Sequence, residues 1–156
     1  MIAVDTNVLV RYLTNDDAEQ AREAVAVLAG ADRILLTHTV LLELAWVLRA
    51  ACDLSPETIN RSLLQVLGLP NVQIEKAEQI AQALAWCEGG MDFADALHLA
   101  LATGVERFLT FDQRFIKTAN AQDCQCIPSR SHVRLPRWRA RCGRPAPRRD
   151  SPSLIR

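Results

Sequence analysis

The chain has no apolar run long enough to span a bilayer, and its opening, MIAVDTNVLV, meets an Asp at once without the basic lead-in of a secretory signal. A cytoplasmic protein with no membrane partner is the expectation. It has no glycine-rich phosphate loop, no G-x-S-x-G elbow and no internal repeat, which sets aside the common nucleotide-binding and serine-hydrolase plans. The five Cys (Cys52, Cys87, Cys124, Cys126, Cys142) are odd in number and scattered, so no disulfide framework is implied. Cys124 and Cys126 have no second pair or His nearby, which makes a zinc site there a poor fit and strand thiols the better one. Lysine is nearly missing, with Lys76 and Lys117 alone.

With 49% hydrophobic and 23% charged residues, the 156-residue chain has a globular composition and the length of one domain. Its formal charge of zero hides a division after Pro128. Residues 1–128 hold 9 basic and 17 acidic side chains, a balance of −8, whereas 129–156 hold 9 Arg and one Asp, a balance of +8. That second segment is crowded with Arg, Pro and Ser and has neither a helical nor a strand period, so a disordered tail is expected. It suits a basic arm for nucleic acid. Its abrupt all-Arg composition also suits GC-rich DNA read in a shifted frame.

Within 1–128 the pattern alternates between short β-branched runs and helical stretches. Strands are expected at Ile2–Val4, Arg33–Thr37, Val72–Ile74 and Arg107–Phe111, with a fifth at Cys124–Ile127. Helices are expected over Asn7–Leu13, Asp17–Ala29, a segment capped by Thr39 and running to about Ala51, Ser55 to near Gly68, Lys76–Glu88 and Asp92–Ala102. This order predicts an α/β sandwich with a mainly parallel sheet, whose ligands gather at the carboxyl ends of the strands.

Carboxylates occupy those places. Asp5 follows the first strand and Asp112 follows Arg107–Phe111, although turns and helix caps also favour Asp. Glu43 lies among Val40, Leu42, Leu44, Trp46 and Val47 with no polar face in view and no Lys or Arg one turn away; buried bare, it would need a partner or a proton. Asp92 and Asp95 share a face at the start of an apolar helix, Asp92 being the better cap and Asp95 the better ligand. If Asp5, Glu43, Asp95 and Asp112 converge, their mutual repulsion calls for a cation. Oxygen donors without His or Cys favour Mg²⁺ or Mn²⁺, ions suited to hydrolysing phosphate esters. His98 is expected as a packed core residue, and Trp46 and Trp86 as core or subunit contacts. An acidic body needs cations near the strand ends to hold phosphate, and Arg114 and Lys117 come first, ahead of Arg11 and Arg107.

The words Val4-Asp5-Thr6-Asn7, Leu42-Glu43-Leu44, Asp92-Phe93-Ala94-Asp95-Ala96 and Leu109-Thr110-Phe111-Asp112-Gln113-Arg114-Phe115, in that order, resemble the PIN-domain ribonucleases, especially the VapC-type toxins of toxin-antitoxin pairs. The resemblance covers 1 to about 128, leaving 129–156 as an addition. It implies a three-layer sandwich and a Mg²⁺-dependent endoribonuclease with Asp5, Glu43, Asp95 and Asp112 as its acidic site. Asp5 and Asp95 would be the direct ligands, and Thr6, Asn7 and Thr110 would hydrogen-bond the acids. It also implies an RNA substrate, a small antitoxin that places a basic side chain in the acidic pocket, and a homodimer. Two other classes fit parts of the pattern. An aspartyl-phosphate enzyme could use Asp5 as nucleophile, but Asn7 stands where such enzymes want a second Asp. A non-catalytic binding module would have little use for four acids.

Overall fold

The computed structural model describes residues 1–106 and 108–122, together with the backbone of 126–128. Three short strands, β1 (Ile2–Ala3), β2 (Ile34–Leu36) and β3 (Val72–Ile74), form a parallel sheet in the order β1-β2-β3, with Ile2 opposite Ile34 and Ile34 opposite Val72. Two further strands, β4 (Phe108–Thr110) and β5 (Cys126–Pro128), pair in parallel as a separate ladder. The parallel arrangement follows the expected alternation, but among the described residues the ladder hydrogen bonds divide it in two. β1 is short and its Ile2 is exposed, so the strand leading to Asp5 is less enclosed than its apolar letters suggest.

Among the described residues seven helices accompany the strands: α1 (Thr6–Thr14), α2 (Ala18–Gly30), α3 (His38–Ala50), α4 (Pro56–Leu67), α5 (Ala77–Glu88), α6 (Phe93–Leu101) and α7 (Gln113–Ala121). Their starts obey capping chemistry. A side-chain oxygen accepts a first-turn N–H at Asp5, Asp17, Thr37, Ser55, Asp92 and Asp112, and Pro56 sits where its missing N–H costs nothing. The α3 cap is Thr37, not Thr39, whose hydroxyl instead pairs with that of Thr37 at 2.8 Å. α7 has no counterpart in the sequence expectation, because Gln113–Ala121 is mostly polar and only Phe115, Ile116 and Ala119 mark its buried stripe.

The main core joins α1, α3, α4, β2 and α5 through Leu9, Ile34, Leu36, Leu41, Leu44, Leu48, Leu63 and Ile80, all essentially free of solvent. Truncating any one of these to Ala costs about 2–5 kcal/mol. A smaller core of Ala83, Met91, Ala96, Ala100, Phe115 and Ala119 lets α5, α6 and α7 approach closely, with Phe108 and Phe115 edge to face at 5.2 Å. Trp86 packs against this second core as expected. Trp46 does not enter a core and is 66% exposed on α3. Among the described residues no helix is long and apolar enough to cross a membrane. Cys52 and Cys87 are free thiols. The thiols Cys124 and Cys142, the side chain of Cys126, residue Arg107 and the Arg-rich segment 129–156 lie outside the described residues.

Candidate acidic site

Two groups of carboxylates emerge. In the first, Asp5 caps α1, its Oδ1 accepting the Val8 N–H at 3.2 Å. The next residue, Thr6, is buried at 4% exposure and its hydroxyl donates to Glu43 Oε2 at 2.6 Å. That bond ties the start of α1 to α3 and sets Glu43 against the residue that follows Asp5. Glu43 is exposed, not enclosed. Thr39, Glu43 and Trp46 share the solvent face of α3, and Trp46, being apolar, disguises that face in the sequence. Asn7 is exposed and makes no side-chain hydrogen bond among the described residues.

The second group gathers at the starts of α6 and α7. Asp92 caps α6, accepting the Ala94 N–H at 2.9 Å through Oδ1, while its Oδ2 meets Arg49 of α3 at 2.5 Å. Both oxygens are thus committed, as suits the cap expected of it. Asp112 caps α7, its Oδ1 accepting from the N–H groups of Arg114 (2.8 Å) and Phe115 (3.1 Å). Thr110 helps by accepting the Asp112 N–H at 3.1 Å, so it shapes the loop and does not bond the carboxylate itself.

Asp95, in the first turn of α6, has no hydrogen-bond donor among the described residues. Burial pushes its carboxyl above the ordinary value, and the charges of Asp92 and Asp112 add to the effect, against weaker help from His98 and Arg114. The field of Asp112 reaching Asp95 relates α7 to α6 at this site. His98, one turn along α6, is exposed and not packed in the core; the apolar face of α6 is carried by Phe93, Ala96, Leu97 and Ala100, leaving 95 and 98 outward.

Between the groups runs a cavity of about 370 Å³, lined by Leu42, Glu43, Trp46 and Arg49 from α3 and by Asp92 and Phe93. Among the described residues no three of His, Cys, Asp and Glu form a group able to hold a metal as they stand. The donor chemistry nevertheless fits a hard cation: among the described residues Asp5, Glu43 and Asp112 each keep one carboxylate oxygen free of any hydrogen bond or ion pair, and Asp95 keeps both.

A family model described as the PIN domain matches residues 2–121. The chain belongs to the PIN domain family. PIN domains are generally nucleases that act on nucleic acid and typically use divalent metals. The match reaches from β1 to the end of α7 and so contains all the acids of both groups. No curated protein matches this PIN domain.

Sequence reasoning overlooked Arg49, because nothing in its surroundings distinguishes a basic residue in the last turn of a helix from one serving the helix end. Of the four cations proposed to hold phosphate, Arg11 is engaged with Asp16 and with Gln20 at 2.7 Å, so its contact is with the α1–α2 turn. Arg114 and Lys117 are exposed on α7 and form no salt bridge among the described residues.

Proposed function

We propose that this protein is a Mg²⁺-dependent endoribonuclease, the toxin of a toxin-antitoxin pair. The observation that carries the reading is Asp95, a half-buried carboxylate with no hydrogen-bond donor among the described residues, set beside two further acids. Such a group is relieved by a proton or by a cation, and a cation is the partner that lets it stay charged at neutral pH. Asp5, Glu43, Asp95 and Asp112 would hold the ion, Asp5 and Asp95 directly. When bound, a divalent ion supplies acidity to a water molecule and offsets the charge that builds on phosphate. The chain's own residues do the rest: Thr6 holds Glu43 in place, Thr110 and the Asp112 cap fix the entrance to α7, Arg49 restrains Asp92, and Arg114 and Lys117 receive RNA phosphates. Mn²⁺ is a chemically acceptable substitute.

The groove between α3 and α6 supports the partner assignment. It offers apolar wall from Leu42, Trp46 and Phe93 beside the acids Glu43 and Asp92, which suits a segment that combines apolar side chains with one basic residue, as an antitoxin would supply. The exposed Trp46 suits burial by that partner or by a second copy in a homodimer. A second reading, a PIN module that holds nucleic acid without cutting it, draws on the separation of the acids among the described residues.

Purified protein, free of antitoxin, is incubated with total RNA in Mg²⁺, in Mn²⁺ and in excess chelator. Cleavage with either ion that stops in chelator is expected. Cleavage unaffected by chelator would overturn the metal mechanism, and absence of cleavage under every condition would favour the binding module.

A further inference from the structure

Aromatic residues make up only 5% of the chain, and the fold encloses most of those it describes. Phe93 and Phe115 are buried, and Tyr12, Trp86 and Phe108 are partly covered. Among the described residues two are left in solvent, Trp46 at 66% exposure and Phe111 at 85%. A lone exposed apolar side chain is ordinary. Their placement is less so, because each adjoins an acid of the candidate site. Trp46 follows Glu43 by three residues on α3 and so shares its face, while Phe111 directly precedes Asp112, the cap of α7.

The surroundings of the two rings say what they could hold. Trp46 joins Leu42 and Phe93 in the apolar wall of the cavity between α3 and α6. The cation in that lining, Arg49, is held by Asp92, so the groove offers a ring face and no unpaired charge for a phosphate. Phe111 leads into α7, where Arg114 and Lys117 lie three residues apart, both exposed and without a salt bridge among the described residues. Proteins that hold single-stranded nucleic acid use this combination, in which cations take the backbone and aromatic faces take the bases. It also favours a base over a second copy of the chain. The centre of an interface between proteins is depleted in charge, whereas exposed Glu43 and Arg49 lie within three residues of Trp46, and exposed Asp112 and Arg114 within three of Phe111.

We propose that Trp46 and Phe111 are stacking platforms for unpaired RNA bases, one beside each group of acids, and that they seat the strand with its phosphate toward the carboxylates. The assignment rests on the nuclease reading for its role but not for its existence. Every base has a π face, so the platforms read whether a base is unpaired and not which base it is. In a duplex those faces are covered by the neighbouring pairs. An antitoxin segment laid in the groove between α3 and α6 would cover Trp46 and so compete directly with RNA for it.

The test is binding of a short unstructured RNA of mixed sequence, alone or annealed to its complement, to the full chain in excess chelator, where cleavage plays no part. The unpaired strand should bind more tightly than the duplex. Trp46→Leu and Phe111→Leu keep an apolar side chain but remove the ring, and each should weaken the single strand by at least about fivefold, the low end of what stacking one base contributes. Both positions are exposed, so Tm should not move. The salt dependence of binding should not change either, since no phosphate contact is lost, whereas Arg114→Ala should flatten its slope by about 0.7. Trp46→Phe and Phe111→Trp should restore the affinity. Each platform stands or falls on its own Leu variant: unchanged affinity overturns it, and so does a Trp46→Leu protein that turns from dimer to monomer with its RNA affinity unaltered. A parent protein that binds duplex as well as single strand, or binds neither, overturns both. Ring-dependent binding by a protein that cuts no RNA would uphold the platforms and defeat the nuclease reading; cleavage at the parent rate by both Leu variants would do the reverse.

Discussion

The acids of α1 and α3 and those of α6 and α7 solve the same problem differently. Asp5 and Glu43 are each given a donor, a backbone N–H for one and the Thr6 hydroxyl for the other. In the second group Asp92 and Asp112 take the available donors, and Asp95 is left with their repulsion and its own burial. One side is arranged to stay in place with or without an ion, and the other stores an unmet electrostatic demand. On the proposed reading, affinity for a cation would centre on Asp95, and the positioning of the other ligands would fall to Thr6 and the Asp5 cap.

The strongest way to break this comparison is Asp95→Asn. Cleavage should fall by at least about 100-fold, in line with losing a major electrostatic group at a reacting centre, while Tm at pH 7 stays level or rises. The sign follows from the raised carboxyl: the ionised form is the one the fold disfavours, so the native state is favoured below the ordinary value of 3.8 and loses that advantage as pH rises through the shifted one. The difference in Tm between the variant and the parent should therefore fade in acid. A large loss of Tm at pH 7 would make Asp95 a structural partner.

Metal titration is the next largest effect. Mg²⁺ at about 100 times its Kd should stabilise the fold by about 2.7 kcal/mol, and Asp95→Asn should remove most of that gain. An equal gain in the variant would put the ion elsewhere.

At Asp5 the two groups separate most cleanly. Asp5→Ala loses both a ligand and a cap, costing about 1 kcal/mol in stability; Asp5→Asn should keep the cap, and with it the Tm, while losing cleavage. Equal denaturation midpoints for the two variants would show that the 3.2 Å bond to Val8 contributes nothing. Thr6→Val should cost about 1 kcal/mol and lower kcat while leaving the chelator sensitivity intact. The smallest effect is expected from removing 129–156: the charge it carries can shift nonspecific affinity and its salt dependence, but cut sites should be those of the full chain. A change of cut sites would give that segment a part in choosing substrate.

Much of this was visible in the letters. Strand and helix alternation located β2, β3, α2 and α4 to within a residue or two, because Ile34–Leu36 and Val72–Ile74 are apolar runs too short for helices and Ser55-Pro56 is an unambiguous start. Helix α7 was missed because one turn of polar residues resembles another until Phe115 and Ile116 find something to pack on. Glu43 was picked out for a mistaken reason. Its apolar neighbours suggested burial, yet Trp46 lies on the solvent side with it, and burial is decided by what packs against a helix and not by the helix itself. Likewise His98 looked enclosed in a Leu and Ala sequence, but three-residue spacing from Asp95 sets it on the open face.

The acids lie at positions 5, 43, 95 and 112 and are presented by α1, α3, α6 and α7. Synthesis proceeds from the N-terminus at about 5–20 residues per second, so a growing chain that has reached Gly90 possesses Asp5 and Glu43 but neither Asp95 nor Asp112. Until α7 leaves the ribosome there is no place where all four can meet. A chain stalled, or cut by a protease, before that point carries only the part of the site whose carboxylates already have their donors. If the protein is the nuclease toxin proposed above, no partly built site is set free during synthesis, and an antitoxin would be needed only once α7 has emerged.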